Sequence, residues 1–168
     1  MILKRFVIYL VLSCIMISGA AADQLAKPAN KPILVISGAI ENTNNGDTAE
    51  FDREMLTATG LQTIETANPW YSGRTRFEGV SLDKLMTMVG AKGTTVTAIA
   101  LNDYVTTIPL DDFKKFNVIL AMKRDGNVMT VREKGPLFII YPYDSQAELQ
   151  SQIYYTRSAW QVAKLIIE

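Results

Sequence analysis

Apolar residues gather first in a nearly unbroken run from Phe6 to Ile17, behind Lys4 and Arg5 and ahead of small residues ending in Ala20-Ala21-Ala22. A basic start, a short apolar stretch and an A-x-A site predict a secretory signal peptide over residues 1–22, because a spanning helix needs about 20 apolar residues. Val11-Leu12-Ser13 ahead of Cys14 is a poor lipidation motif. Residues 23–31 are polar around Pro28 and read as a flexible leader, so the folded domain is expected over residues 32–168.

Beyond the leader the pattern changes repeatedly between strand and helix periods. Ile33 to Ile40 is rich in β-branched residues and predicts a strand, followed by an Asn-rich turn through Gly46. Asp47 with Glu50 makes a capping-box pattern, and Phe51, Met55 and Leu56 form an apolar stripe that stops at Gly60, predicting a short helix. Leu61 to Thr66 reads as a strand, and Asn68 to Gly73 as a loop carrying two large aromatics. Ser81 caps a second helix whose face is Leu82, Leu85, Met86 and Val89, with Gly90 ending it.

Strand periods then dominate. Thr94–Leu101 and Tyr104–Ile108 flank Asn102-Asp103 and predict an antiparallel pair, and Pro109 to Phe113 begins a single helical turn. Val118–Lys123 and Val128–Arg132 frame Asp125-Gly126-Asn127 as a hairpin. Leu137 to Tyr141 is a buried strand stopped by Pro142, a polar excursion runs to Arg157, and Ala159 to Ile167 is the last strand. The sum is an α+β fold of mixed, mostly antiparallel β-sheets with a few short helices.

Composition removes chemistry. Histidine is absent and Cys14, inside the signal segment, is the one cysteine. The mature domain therefore has no disulfide, no structural zinc or blue-copper ligand set, and no Ser-His or Cys-His nucleophile pair. Its acidic residues lack the spacing of a calcium loop. Lysine plus arginine balance aspartate plus glutamate at 17 each, and losing Lys4 and Arg5 leaves a small negative charge. Bulk charge recruits neither nucleic acid nor anionic lipid.

The order of motifs is what identifies the chain. Trp70, then Phe77-Glu78-Gly79-Val80-Ser81-Leu82 with Leu85, then Asn102-Asp103-Tyr104 with Ile108-Pro109, then Ala121 with Asp125-Gly126, then Gly135-Pro136-Leu137 with Tyr141-Pro142 resemble the oxidoreductase molybdopterin-binding domain family. The resemblance spans about Ile33 to the last strand and implies the sulfite oxidase fold. It implies a molybdenum centre held by one cysteine thiolate near Thr63–Pro69, where this sequence has none; Glu65 or Thr66 stands closest. The chain is thus also similar to the small exported members without that cysteine, some of which bind reduced pterins and signal to a membrane-bound partner.

A pterin or molybdopterin-like ligand asks for an aromatic slot, a carboxylate for its paired donors, and backbone donors. Asp103 with Asn102 beside it is the first candidate, although both residues suit a simple turn between strands. Trp70 is a loop aromatic and Tyr104 a strand aromatic that could wall the slot, ahead of Tyr71 and Tyr141. Arg74, Arg76 and Lys134 could meet a ligand phosphate, and Arg157 could bind ligand or tie its loop to the core. Trp160 is assigned to the core. The expected function is a periplasmic pterin-binding protein without metal, signalling to an inner-membrane kinase or cyclic-dinucleotide enzyme and not inserted in the membrane after signal removal. Two alternatives are an oxidoreductase with a non-cysteine molybdenum ligand and an interaction domain without ligand.

Overall fold

In the computed structural model, which describes residues 25–168, an early strand and the final strand lie side by side. The expected signal peptide and its cleavage site lie outside the described residues. β1 (Leu34–Gly38) pairs in parallel with β10 (Val162–Ile167) and antiparallel with the short β2 (Ala49–Phe51). β10 in turn pairs antiparallel with β5 (Thr95–Ala100), and β5 with β6 (Val105–Pro109), completing a sheet in the order β2-β1-β10-β5-β6.

The second sheet is built around β3 (Leu61–Asn68), β4 (Tyr71–Ser81) and β7 (Ile119–Arg124). β7 is shared: its start pairs with β9 (Phe138–Ile140) and its end with β8 (Asn127–Val128). A strand buried on both faces should be apolar without alternation, and Ile119 to Met122 are all buried. Leu120 and Met122 join the main core with Leu34, Ile36, Val96 and Leu165 of the first sheet. Ile119 and Ala121 join a smaller cluster with Phe77, Phe138 and Ile140.

Helices fill the seams. α2 (Leu82–Val89) follows its sequence signals: the Ser81 hydroxyl accepts from Lys84 N at 3.3 Å, and Gly90 closes it at φ 63°. Its Leu82, Leu85, Met86 and Val89 are buried in the main core. α3 (Asp111–Lys115) is the expected single turn, and α4 (Gln152–Arg157) stands against β6.

Five local expectations need correction. The helix after the Asn-rich turn is α1 (Arg53–Ala58), capped by Asp52, not Asp47, because Ala49 to Phe51 pair with β1 instead. β4 was not visible as a strand. The hairpin's second arm holds only Asn127 and Val128, because Met129 turns into the interior and Thr130 with Glu133 forms a capping box on a 3-10 turn. The excursion after Tyr143 is structured, with two 3-10 turns, Tyr143–Ser145 and Ala147–Leu149, leading into α4. The last strand starts at Val162, since Gln161 adopts φ 56°.

The Asp52 cap carries a pH dependence. Its carboxylate accepts from Met55 N and Asn30 N, each at 2.9 Å. These bonds, the one from Met55 foremost, hold its carboxyl below the ordinary aspartate range. A depressed carboxyl stabilises the fold fully above its unfolded-state value and loses that contribution as pH falls toward its folded one. Asp52→Asn keeps a good cap and removes the titration. Urea unfolding of wild type against this variant should show the wild-type advantage shrinking below about pH 4 and constant above it.

Candidate functional site

The two sheets meet at one end around Trp70. Asn68 Oδ1 accepts from the backbone N of both Trp70 and Tyr71 at 3.1 Å, a side-chain turn that fixes the Pro69-Trp70 tip between β3 and β4. The indole is thereby laid edge-on against other rings, with centroids 5.0 Å from Phe138 and 6.0 Å from both Tyr143 and Trp160. Tyr155 of α4 stands at 6.1 Å.

Between this tip and α4 lies a cleft of about 270 Å³, walled by Trp70, Trp160, Tyr155 and Tyr104. Gln152, Thr156 and Ser158 supply its polar groups. Tyr104 is anchored by donating its hydroxyl to the Thr156 carbonyl at 2.8 Å, which ties β6 to α4. Ser158 shares a 2.5 Å hydrogen bond with the buried Tyr143 hydroxyl and donates to the Tyr154 carbonyl at 2.7 Å. Burial pushes the Tyr143 hydroxyl up, so it stays neutral.

Of the residues put forward from the sequence, the structure brings Trp70 and Tyr104 together as walls of this cleft. Lys134 stands beside it, its ammonium 4.2 Å from the Trp160 ring. Asn102 and Asp103 form the tip of the β5–β6 turn. Asn102 Oδ1 accepts from Tyr104 N at 3.3 Å, Asp103 has φ 62°, and neither lines the cleft. Arg74 is engaged elsewhere, donating to the Glu65 carbonyl at 2.7 Å and pairing with the Asp144 carboxylate. Arg157 points away from the cleft into a buried cluster. Its guanidinium donates to Asp112 Oδ2 at 2.7 Å, the oxygen that also accepts from the Tyr141 hydroxyl at 2.8 Å. Burial and then the Asp112 charge push the Tyr141 hydroxyl up.

Trp160 is a half-buried wall of the cleft in addition to its packing on the smaller core cluster. Sequence reasoning missed Tyr155, Gln152 and Thr156. The signal available was the Tyr154-Tyr155 pair inside an otherwise polar stretch, directly ahead of Arg157 and Trp160.

The residues near the expected metal position do not fit a thiolate-held molybdenum. Thr66 is buried, and its hydroxyl donates to the Ala67 carbonyl while accepting from Asp144 N, both at 3.1 Å. Glu65 is exposed and paired with Arg74 at 3.4 Å. The described residues contain no cysteine or histidine, and no group of three or more acidic side chains is gathered among them. A soft thiolate site cannot be assembled from this set.

Residues 34–145 match the model of the oxidoreductase molybdopterin binding domain. The fold is similar to that of the sulfane dehydrogenase SoxCD from Paracoccus pantotrophus, with a TM-score of 0.61 at 18% sequence identity. That likeness covers 80% of this chain and 37% of the other, so this chain spans well under half of its length. No curated protein matches the sequence. The family match ends at Ser145, ahead of α4 and Trp160, so two walls of the cleft come from outside it.

Proposed function

The chain belongs to the oxidoreductase molybdopterin binding domain family, and from that premise we propose that it is a periplasmic binding protein for a pterin-like small molecule, working without a molybdenum centre and signalling to a membrane-bound partner. One observation carries the reading: an aromatic-walled cleft formed by Trp70, Trp160, Tyr155 and Tyr104 in a domain whose described residues include no cysteine. The volume, about 270 Å³, lies near the small end of ligand sites and suits a flat bicycle rather than a large cofactor.

The chemistry of the walls supports a planar guest. Ring edges and faces around a slot stack on a flat heterocycle, and the Gln152 carboxamide offers an acceptor beside a donor. That pair is complementary to a lactam edge, where a ring N–H lies next to an oxo group. It takes the role that the sequence suggested for Asp103. Lys134, whose ammonium lies over the Trp160 ring, would supply a positive charge for an anionic substituent of the guest.

The test is titration of a tetrahydropterin and its oxidised form into the purified protein under anaerobic conditions, followed by tryptophan fluorescence and calorimetry. Saturable binding is expected, with Trp70→Ala weakening it at least about tenfold, or about 1.4 kcal/mol. Elemental analysis of protein purified from its native compartment should find no molybdenum. Molybdenum at near-equal stoichiometry, or no binding of either pterin, would overturn the reading.

A further inference from the structure

A second concavity, about 540 Å³, opens beside the cleft and shares no residue with it. Trp160 belongs to the cleft; Ala163 and Lys164, further along the same segment, belong to this groove. Pro32, Ile33, Val35, Met129 and Pro136 complete a mostly apolar lining. Around it stand Leu101, Val128 and Val131, which are 54%, 47% and 51% exposed. Single exposed aliphatics are ordinary, but several drawn from separate segments around one depression make a patch that marks a binding surface.

The charges in the groove are of one sign. Lys31, Arg53 and Lys164 line it, no carboxylate does, and none of the three forms an ion pair among the described residues. Arg53 is the notable member, because its Nη1 is buried with no hydrogen-bond partner. The acids next to it in sequence are engaged: Asp52 caps α1 and holds Asn30, and Glu54 accepts from Asn30 Nδ2 at 3.1 Å. A partly desolvated guanidinium without a counter-charge is costly, and a carboxylate entering the groove relieves that cost through charge-assisted hydrogen bonds to its remaining N–H groups.

We propose that this groove binds a small amphiphile consisting of a carboxylate on an apolar chain, with the head at Arg53 and the tail along Val35, Ala163 and the Leu101–Val131 rim. The volume falls inside the range of about 300 to 1,000 Å³ that small-molecule sites occupy. Apolar walls with a few placed cations select this class over neutral lipids, which leave the guanidinium unmatched, and over small hydrophilic acids, which leave the walls wet. The site goes beyond the pterin reading and does not depend on it.

Decanoate is the probe, titrated below its micellar range by calorimetry, with decanol as the uncharged control of equal chain length. Decanoate should bind saturably and at least about tenfold more tightly than decanol. Arg53→Gln should abolish that preference, and Val131→Glu, at an exposed rim position, should weaken decanoate at least about tenfold while circular dichroism stays native. Trp70→Ala should leave decanoate binding unchanged, which separates the failure of this site from failure of the pterin cleft. Absence of saturable decanoate binding, equal affinity for decanol, or wild-type affinity in Arg53→Gln would each overturn the proposal.

Discussion

Replacing Asp112 by alanine is expected to lower the unfolding free energy by about 3 to 5 kcal/mol, the cost of stripping one partner from a buried ion pair. Side-chain exposure is 10% for Asp112 and 22% for Arg157, so the pair is poorly screened by water. One carboxylate oxygen serves two donors, the Arg157 guanidinium and the Tyr141 hydroxyl, and both lose their acceptor together. The elements joined are α3, β9's following residue and the end of α4, so the loss reaches the wall that carries Tyr155 into the cleft. Urea unfolding measures the stability. Tyr141→Phe removes only one hydrogen bond to a charged group and should cost about 1.5 to 3 kcal/mol. Replacing Asp112 and Arg157 together by apolar residues should cost less than Asp112→Ala alone, because no unpaired charge remains. Equal losses in the double and single variants would contradict the account.

Gly79→Ala should be nearly as damaging, at about 3 kcal/mol or at the top of what overpacking costs. Gly79 faces β7 where the pairing slips: Glu78 stands opposite Lys123 and Gly79 opposite Ala121, leaving Met122 as the extra residue of a bulge. An added Cβ would fall 2.5 Å from the Ala121 Cα and closer still to the Leu120 carbonyl oxygen. Both are backbone atoms in the middle of a sheet, so no rotamer change relieves the clash. Thermal unfolding of the variant should show a clearly lower midpoint, and amide exchange should show lost protection on β4 and β7.

The same glycine explains why β4 was illegible in the sequence while α2 was plain. In β4 the alternating buried positions are Thr75, Phe77 and Gly79, so Phe77 is the one strongly apolar residue in the alternation that would betray a half-buried strand. α2 announces itself locally, with a hydroxyl cap, a four-residue apolar face and a left-handed glycine in one short window. The β5–β6 pair and the Asp125-Gly126 turn were local in the same sense. The choice between Asp47 and Asp52 as a cap was not, because it turns on Ala49 to Phe51 being claimed by β1.

The site divides along the same line. Trp70 stood out because a large ring on a turn has few local reasons to be there, and its neighbours Asn68 and Pro69 mark that turn. Tyr104 stood out as an aromatic at a strand start. Tyr155 did not, because α4 has no apolar period. The helix is clamped at its C-terminal end, where Tyr104 holds Thr156 and Asp112 holds Arg157, and its cleft-facing groups are Gln152, Tyr155 and Thr156. The destination of Arg157 was open between ligand and scaffold. Its partner is a carboxylate on α3, a contact that no local pattern encodes.

The parallel pairing of β1 with β10 sets the order in which this domain can be completed. β1 leaves the ribosome early, and the strand it must lie against comes only after nearly every other element has been made. Until then β1 and β5, the two flanks of the missing strand, present unpaired edges. Contacts so distant in sequence form slowly, and open edges invite pairing with other chains. A chain interrupted before Val162 is therefore not a smaller version of the domain but a pair of adhesive sheet halves, and the last strand acts as the wedge that turns them into a finished surface.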